Sequence, residues 1–145
     1  MFMILQWITM KYNLSCHCGS VQIEVLSDLK TIKQCNCSIC KRKGATMSLV
    51  KNEAFKIVKG LNELKLYKFH TKVANHYFCS ICGIYTHHNP RSNPSMTGIN
   101  LGCIDEIDTF NLRDIKINDG NNHPLDKKQK WSLEVWVIEK LKKNI

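Results

Sequence analysis

Residues 16–25 read CHCGSVQIEV, and this stretch joins the two patterns that decide the fold. Its first half places two cysteines two positions apart, directly ahead of a glycine. Its second half, residues 21–25, alternates valine or isoleucine with glutamine and glutamate, which is the two-residue period of a strand with one buried face. The stretch therefore predicts a β-strand attached directly to a pair of thiol ligands.

Similar short runs recur along the chain, separated by turn residues such as those at 59–60 and 119–120, and they predict a mainly β protein. The predicted strands cover residues 20–26, 31–35, 46–51, 55–59, 64–69, 76–78, 84–87, 98–101 and 115–118. Residues 89–94 contain two prolines and predict a loop near one of the two metal sites inferred below. Residues 131–138 fit either a strand, by their valine and tryptophan content, or a helix, by apolar spacing.

The length and composition indicate one globular domain. The chain has 145 residues, with 43% hydrophobic and 23% charged residues, which is the range of folded domains. It lacks a run of about 18 apolar residues that could span a membrane, and its apolar residues 1–9 lack the positive flank of a signal peptide. We therefore expect a cytoplasmic protein with a single domain over residues 10–145. Residues 1–9 are interpreted either as an N-terminal extension or as part of that domain.

Eight cysteines are far more than such a chain ordinarily contains. In the reducing cytosol they favour metal binding over a disulfide framework. Seven fall into three groups, with one apart: Cys16 and Cys18; Cys35, Cys37 and Cys40; Cys79 and Cys82; and the separate Cys103. A C-x-x-C pair followed by glycine can turn both sulfurs toward one ion.

Seven thiols cannot fill two four-thiolate sites, but they divide into four and three. Four thiolates complete a structural zinc site, whereas three leave a position open to water, a thiol or a substrate atom. The three-thiolate site is therefore a candidate reaction centre. In the alternative, both sites are structural and the second is completed by one further side chain: His17, His76, His87 or Cys103.

Spacing alone does not decide which pairs share an ion. Cys37 and Cys40 could combine with Cys79 and Cys82 into a zinc ribbon, and such cysteine turns can also hold iron. The residues alone do not decide between this pairing and a different one.

Three motifs in order, CHCGSV at 16–21, CNCSIC at 35–40 with Gly44, and FCSICG at 78–83, resemble those of the glutathione-dependent formaldehyde-activating enzyme family, which includes centromere protein V. The stretches GIYTHH at 83–88 and NDG at 118–120 are also similar to bacterial members. The resemblance covers most of the chain and includes every cysteine of the pattern.

This resemblance implies a β-tent fold of antiparallel sheets held together by zinc. It implies two Zn²⁺ per chain, the first structural and the second open and catalytic. The implied ligands are Cys16, Cys18, Cys79 and Cys82 for the first ion, and Cys35, Cys37 and Cys40 for the second. The implied activity joins formaldehyde to glutathione as S-hydroxymethylglutathione, formally a carbon–sulfur lyase reaction in reverse. No catalytic residue is predicted outside the open zinc site.

The charge distribution agrees with an anionic thiol substrate. The formal charge is +9, and glutathione carries two carboxylates and one ammonium, so a cationic site would suit it. Residues 33–52 contain five basic residues and no acidic one: Lys33, Lys41, Arg42, Lys43 and Lys51. Part of this bias offsets the negative charge of the zinc-bound thiolates.

The competing hypothesis is a non-catalytic zinc-binding module whose basic surface attracts nucleic acid or protein partners. Six lysines lie in the C-terminal tail, between residues 127 and 143. Because only 8% of residues are aromatic and the lysines are not interleaved with them, no stacking platform for bases is indicated. We therefore favour a small-molecule thiol, glutathione or a similar compound, as partner, with no membrane; nucleic acid is the less favoured alternative.

Several other side chains have simple expected roles. His17 should point away from the metal, because side chains alternate along an extended chain. The histidines at 87–88 are expected to be exposed at a strand end, with pocket lining as the alternative. Cys103 is expected to be a small buried residue. Tyr85 and Arg91 are candidate substrate contacts.

Overall fold

The computed structural model describes residues 8–129, and in this range the protein is built mainly from strands. The strands are β1 (Met10–Ser15), β2 (Gln22–Ser27), β3 (Lys33–Cys35), β4 (Met47–Lys51), β5 (Phe55–Lys59), β6 (Leu64–Tyr67), β7 (Asn75–Cys79), β8 (Tyr85–Asn89), β9 (Met96–Asn100) and β10 (Lys116–Asn118). The helix is α1 (Ser38–Lys43), and short 3₁₀ turns cover Asn52–Ala54, Leu61–Glu63, Leu101–Cys103, Gly120–Asn122 and Pro124–Gln129. Within this range, no helix has the length and apolar character needed to cross a bilayer.

The predictions for residues 131–138 and for residues 1–7 lie outside the described part of the chain, as do the side chains of the tail lysines. They stay predictions.

Two sheets make up the domain. A three-stranded sheet has the order β1-β2-β5, and a seven-stranded sheet has the order β10-β3-β4-β9-β8-β7-β6. Pairing is antiparallel throughout except between β10 and β3, where Lys116 lies opposite Lys33 in a parallel pair. The prediction of a mainly β single domain is confirmed. The parallel pair departs from the expected antiparallel sheets, because β10 returns to the sheet edge through a long connection after β9.

The core lies where the alternating strands turn their apolar sides inward. In β2, Ile23 and Val25 are buried while Gln22 and Leu26 face out. The core consists of Leu14, Cys16, Val21, Ile23, Val25, Val50, Cys79, Ile99, Leu101, Cys103 and Ile104. Each fully buried aliphatic side chain contributes roughly 1.5–3 kcal/mol. Cys16 and Cys79 belong to this core, so these two predicted metal ligands pack directly among its apolar side chains.

All nine predicted strands overlap observed ones, and their ends differ by up to two residues. Strand β1 was missed because only Leu14 among its residues is buried, so its alternation is weak. Helix α1 was missed because its six residues are too few for a helical period to show.

Candidate metal centres and the cleft beside the three-cysteine cluster

The four-cysteine cluster consists of Cys16, Cys18, Cys79 and Cys82, whose sulfurs all lie within 4.8 Å of one another. The Sγ atoms of Cys16 and Cys18 are 3.6 Å apart, and those of Cys18 and Cys79 are 3.7 Å apart. Backbone hydrogen bonds from Cys18 and Ile84 lower the pKa of Cys82 to about 6, whereas burial raises the pKa of Cys16 to about 11. Four converging sulfurs without a carboxylate form the donor set of a structural zinc site.

Two glycine-closed turns build this cluster. Gly19 and Gly83 both adopt φ of 76°, the left-handed conformation that glycine reaches without strain. The backbone N–H of Gly83 donates to the carbonyl oxygen of Cys79 at 2.8 Å. The backbone N–H of Val21 donates to the sulfur of Cys16 at 3.2 Å, which stabilises that sulfur as a thiolate.

The three-cysteine cluster consists of Cys35, Cys37 and Cys40, and its sulfurs also lie within 4.8 Å of one another. Cys35 ends β3, Cys37 immediately precedes α1, and Cys40 lies in that helix. The first helical turn, in which the Lys41 N–H donates to the Cys37 carbonyl oxygen at 2.9 Å, brings the last two sulfurs together. A hydrogen bond from the Cys40 sulfur lowers the pKa of Cys37 to about 5, and it raises the pKa of Cys40 itself.

No histidine, carboxylate or fourth cysteine joins this second cluster among the residues that the structure describes. The side chain of His17 is exposed, and His76, His87 and Cys103 are not part of either cluster. The structure thus brings the sulfurs together as four and three, and it does not place Cys37 and Cys40 with Cys79 and Cys82. Three sulfurs fit a zinc ion with one open position.

The three-cysteine cluster opens into a cleft of about 550 Å³, a volume typical of small-molecule sites. Residues 90–93 and 118–121 form parts of its wall, so the predicted loop lies beside this cluster. Lys33 and Arg91 also line it. Arg91 donates to a carboxylate oxygen of Asp126 at 2.6 Å, and burial lowers the pKa of Lys33. The wall of the cleft therefore combines two cations, Lys33 and Arg91, with two carboxylates, Asp119 and Asp126.

A loop from the far end of the described chain packs against the three-cysteine cluster. Asn36, between two of the cysteines, holds it: its backbone N–H donates to Asn118 O at 3.2 Å, and its Nδ2 donates to Asp119 Oδ1 at 3.2 Å. At Gly120, an added Cβ would lie 2.5 Å from the sulfur of Cys35. From the sequence, residues 119–120 were predicted as a turn, and no local pattern indicated this contact.

We expect Gly120→Ala to disturb the second metal site selectively. The added methyl group overlaps Cys35 and the Cβ of Cys37, at 2.6 Å, so the loop or the sulfur must move. Zinc binding at this site should weaken roughly 10- to 100-fold, as for other changes that misplace a ligand, while the four-cysteine site keeps its ion. A competitive chelator titration measures both. Gly102→Ala is the control, since its new Cβ would meet only a side-chain oxygen of Asn100 at 3.2 Å; equal weakening in both variants would contradict the contact.

The histidine pair of β8 is buried, so the expected exposure was wrong. His87 is 3% exposed and stacks on Tyr77 with ring centroids 4.5 Å apart. His88 is 8% exposed, lines the cleft and lies 2.5 Å from the hydroxyl of Tyr85 through Nδ1. The reason is the position of β8 between β7 and β9 inside the larger sheet, which sequence alternation alone did not indicate.

The two candidate substrate contacts, Tyr85 and Arg91, differ in their access to the cleft. Arg91 lines the cleft, whereas Tyr85 is buried and packs with Cys40 below it. Cys103 is buried, as expected. One further pair was not predicted from the sequence: Nζ of Lys43 lies 2.9 Å from Nδ1 of His76. In the sequence, Lys43 is one of five basic residues between positions 33 and 52, and no local signal marks its contact with His76.

Comparison with known proteins agrees with this architecture. The family model described as glutathione-dependent formaldehyde-activating enzyme matches residues 11–118. The chain is also similar to the crystal structure of a Rhodobacter sphaeroides protein from structural genomics, with a TM-score of 0.69 and 37% sequence identity. That match covers 73% of this chain and 99% of the other. The matched range includes both cysteine clusters, and the chain therefore belongs to the glutathione-dependent formaldehyde-activating enzyme family.

Proposed function

We propose that the protein is a zinc-dependent carbon–sulfur lyase that interconverts S-hydroxymethylglutathione with glutathione and formaldehyde. The observation that carries this proposal is the three-cysteine cluster facing a cleft of about 550 Å³. The four-cysteine cluster has a complete donor set, which suits a structural role. We propose one Zn²⁺ at each cluster, hence two per chain.

The two clusters have different tasks in this proposal. Cys35, Cys37 and Cys40 would hold the catalytic ion. A zinc ion held there would supply a Lewis acid that lowers the pKa of a bound thiol.

The cleft residues would bind and orient the rest of the substrate. Lys33 would present positive charge to a glutathione carboxylate, whereas the charge of Arg91 is shared with Asp126. Holding the thiol sulfur next to the aldehyde carbon would make the bimolecular step effectively unimolecular. In the condensation direction, a sulfur lone pair forms the new C–S bond, the C=O π pair moves to oxygen, and the oxygen takes up one proton for the one that the thiol loses.

Exchange NMR spectroscopy tests the proposal directly. We expect the zinc-loaded protein to increase the exchange rate between free glutathione and its hydroxymethyl adduct in a mixture with formaldehyde. 2-Mercaptoethanol is the matched thiol, because it lacks the carboxylates that basic side chains of the cleft would recognise, and its exchange should be accelerated far less. Exchange at the protein-free rate with two zinc ions bound would contradict the proposal.

A further inference from the structure

The imidazole of His76 has one nitrogen whose role the fold does not explain. His76 lies in β7, is 6% exposed and lines the cleft beside the three-cysteine cluster. Its Nε2 is buried and has no hydrogen-bond partner among the described residues. Buried polar atoms are almost always paired, so an unpaired nitrogen in a side chain that lines the cleft points to a ligand atom that completes it.

The other ring nitrogen determines which proton Nε2 carries. Nζ of Lys43 lies 2.9 Å from Nδ1 of His76, and an ammonium can only donate. Burial lowers the pKa of Lys43 to about 8 and that of His76 to about 4, so at pH 7 the lysine is mostly charged and the imidazole is neutral. Nδ1 therefore accepts, and the single proton of the ring resides on Nε2. The unpaired atom is a hydrogen-bond donor.

Packing holds this donor in place. The ring of His76 lies between Phe69, at 5.5 Å between centroids, and His88, at 5.7 Å. The ammonium of Lys43 is itself fixed 3.7 Å above the ring of Tyr85, which packs with Cys40. The donor is thus connected through Lys43 and Tyr85 to a residue of the three-cysteine cluster, and it is oriented before any substrate binds.

We propose that the Nε2–H of His76 binds the oxygen of a small aldehyde, and the hydroxyl oxygen of its thiol adduct, during reaction at the three-cysteine cluster. This inference rests on the proposed function. As the thiol sulfur attacks the carbonyl carbon, negative charge develops on the carbonyl oxygen, where a fixed donor in a buried site stabilises it most. His76 keeps its proton; the oxygen acquires the proton that the thiol gives up through solvent. Lys43 is a positioning residue that sets the tautomer.

Kinetics of three variants test the role of the donor. His76→Phe keeps an aromatic ring between its neighbours but removes the donor, so kcat should fall roughly 100-fold, the usual effect of losing one such donor, with little change in the KM for glutathione. His76→Gln places an amide N–H near the same position and should recover part of the loss. His87→Phe is the matched control, because His87 is equally buried but does not line the cleft. Full kcat in His76→Phe would overturn the proposal.

Nitrogen-15 NMR of the histidine side chains gives a readout that does not need turnover. In the wild-type protein His76 should be the Nε2–H tautomer, and Lys43→Met should shift it toward the Nδ1–H form. Adding glutathione and formaldehyde together should move the Nε2–H resonance, whereas glutathione alone should not. An Nδ1–H tautomer, or no response to the adduct, would overturn the assignment. If wild-type protein fails to accelerate exchange but this resonance responds, the proposed function fails while the hydrogen bond stands.

Discussion

Cys79→Ser should leave the domain unfolded at ambient temperature. The sulfur of Cys79 is fully buried, it belongs to the four-cysteine cluster, and it also packs in the apolar core. A structural zinc site contributes on the order of 10–16 kcal/mol of apparent binding energy that is also folding energy. Since the net stability of a domain is only about 5–15 kcal/mol, loss of this site removes most or all of it.

Far-UV circular dichroism with zinc analysis measures this result, and a strong chelator should reproduce it in the wild-type protein. The matched control is Cys103→Ser, because Cys103 is also buried in the core but lies outside both clusters. This control should stay folded with a full zinc complement and lose only the roughly 1–3 kcal/mol typical of a buried polar substitution. A folded Cys79→Ser protein with unchanged melting temperature would show that the four-cysteine cluster is not structural.

Cys37→Ser should have the opposite profile, an intact fold without activity. Cys37 is half-buried, and it lies at the start of α1 on the cleft side rather than in the main core. Losing one of three ligands should reduce the zinc content from two ions to one, and glutathione–formaldehyde exchange should fall to the protein-free rate. The melting temperature should change by only a few degrees, the shift that about 1 kcal/mol produces in a domain of this size.

Ser38→Ala is the neighbouring control, since Ser38 lines the same cleft but contributes no ligand. It should retain both ions and most of the exchange activity. If Cys37→Ser instead unfolded as readily as Cys79→Ser, the division into a structural and a catalytic cluster would be wrong.

The parts of this fold that could be predicted are those specified by neighbouring residues. A cysteine pair closed by a glycine, as at Gly83, and alternation such as that around Ile23 are local patterns with local causes. They were enough to identify nine of the ten strands in the described range and the division of the cysteines into groups. The resemblance to a known family, rather than spacing, selected the pairing of those groups.

The parts that could not be predicted depend on contacts between distant segments. Gly120 looks like any turn glycine until the β10–β3 pairing places it against Cys35. His76 and Lys43 are 33 positions apart, and each has an ordinary local context. The burial of His88 follows from strand order in the sheet, which a single strand does not reveal.

The position of the Gly120 loop has a consequence for how the family diversifies. Two connecting segments, residues 90–93 and 118–121, form parts of the cleft wall, and neither contributes to the apolar core. Connecting segments on a surface accept substitutions and insertions far more readily than packed strands. Related chains can therefore change the shape of the cleft by substitutions in residues 90–93, whereas the close contact of Gly120 with Cys35 restricts what the second segment accepts.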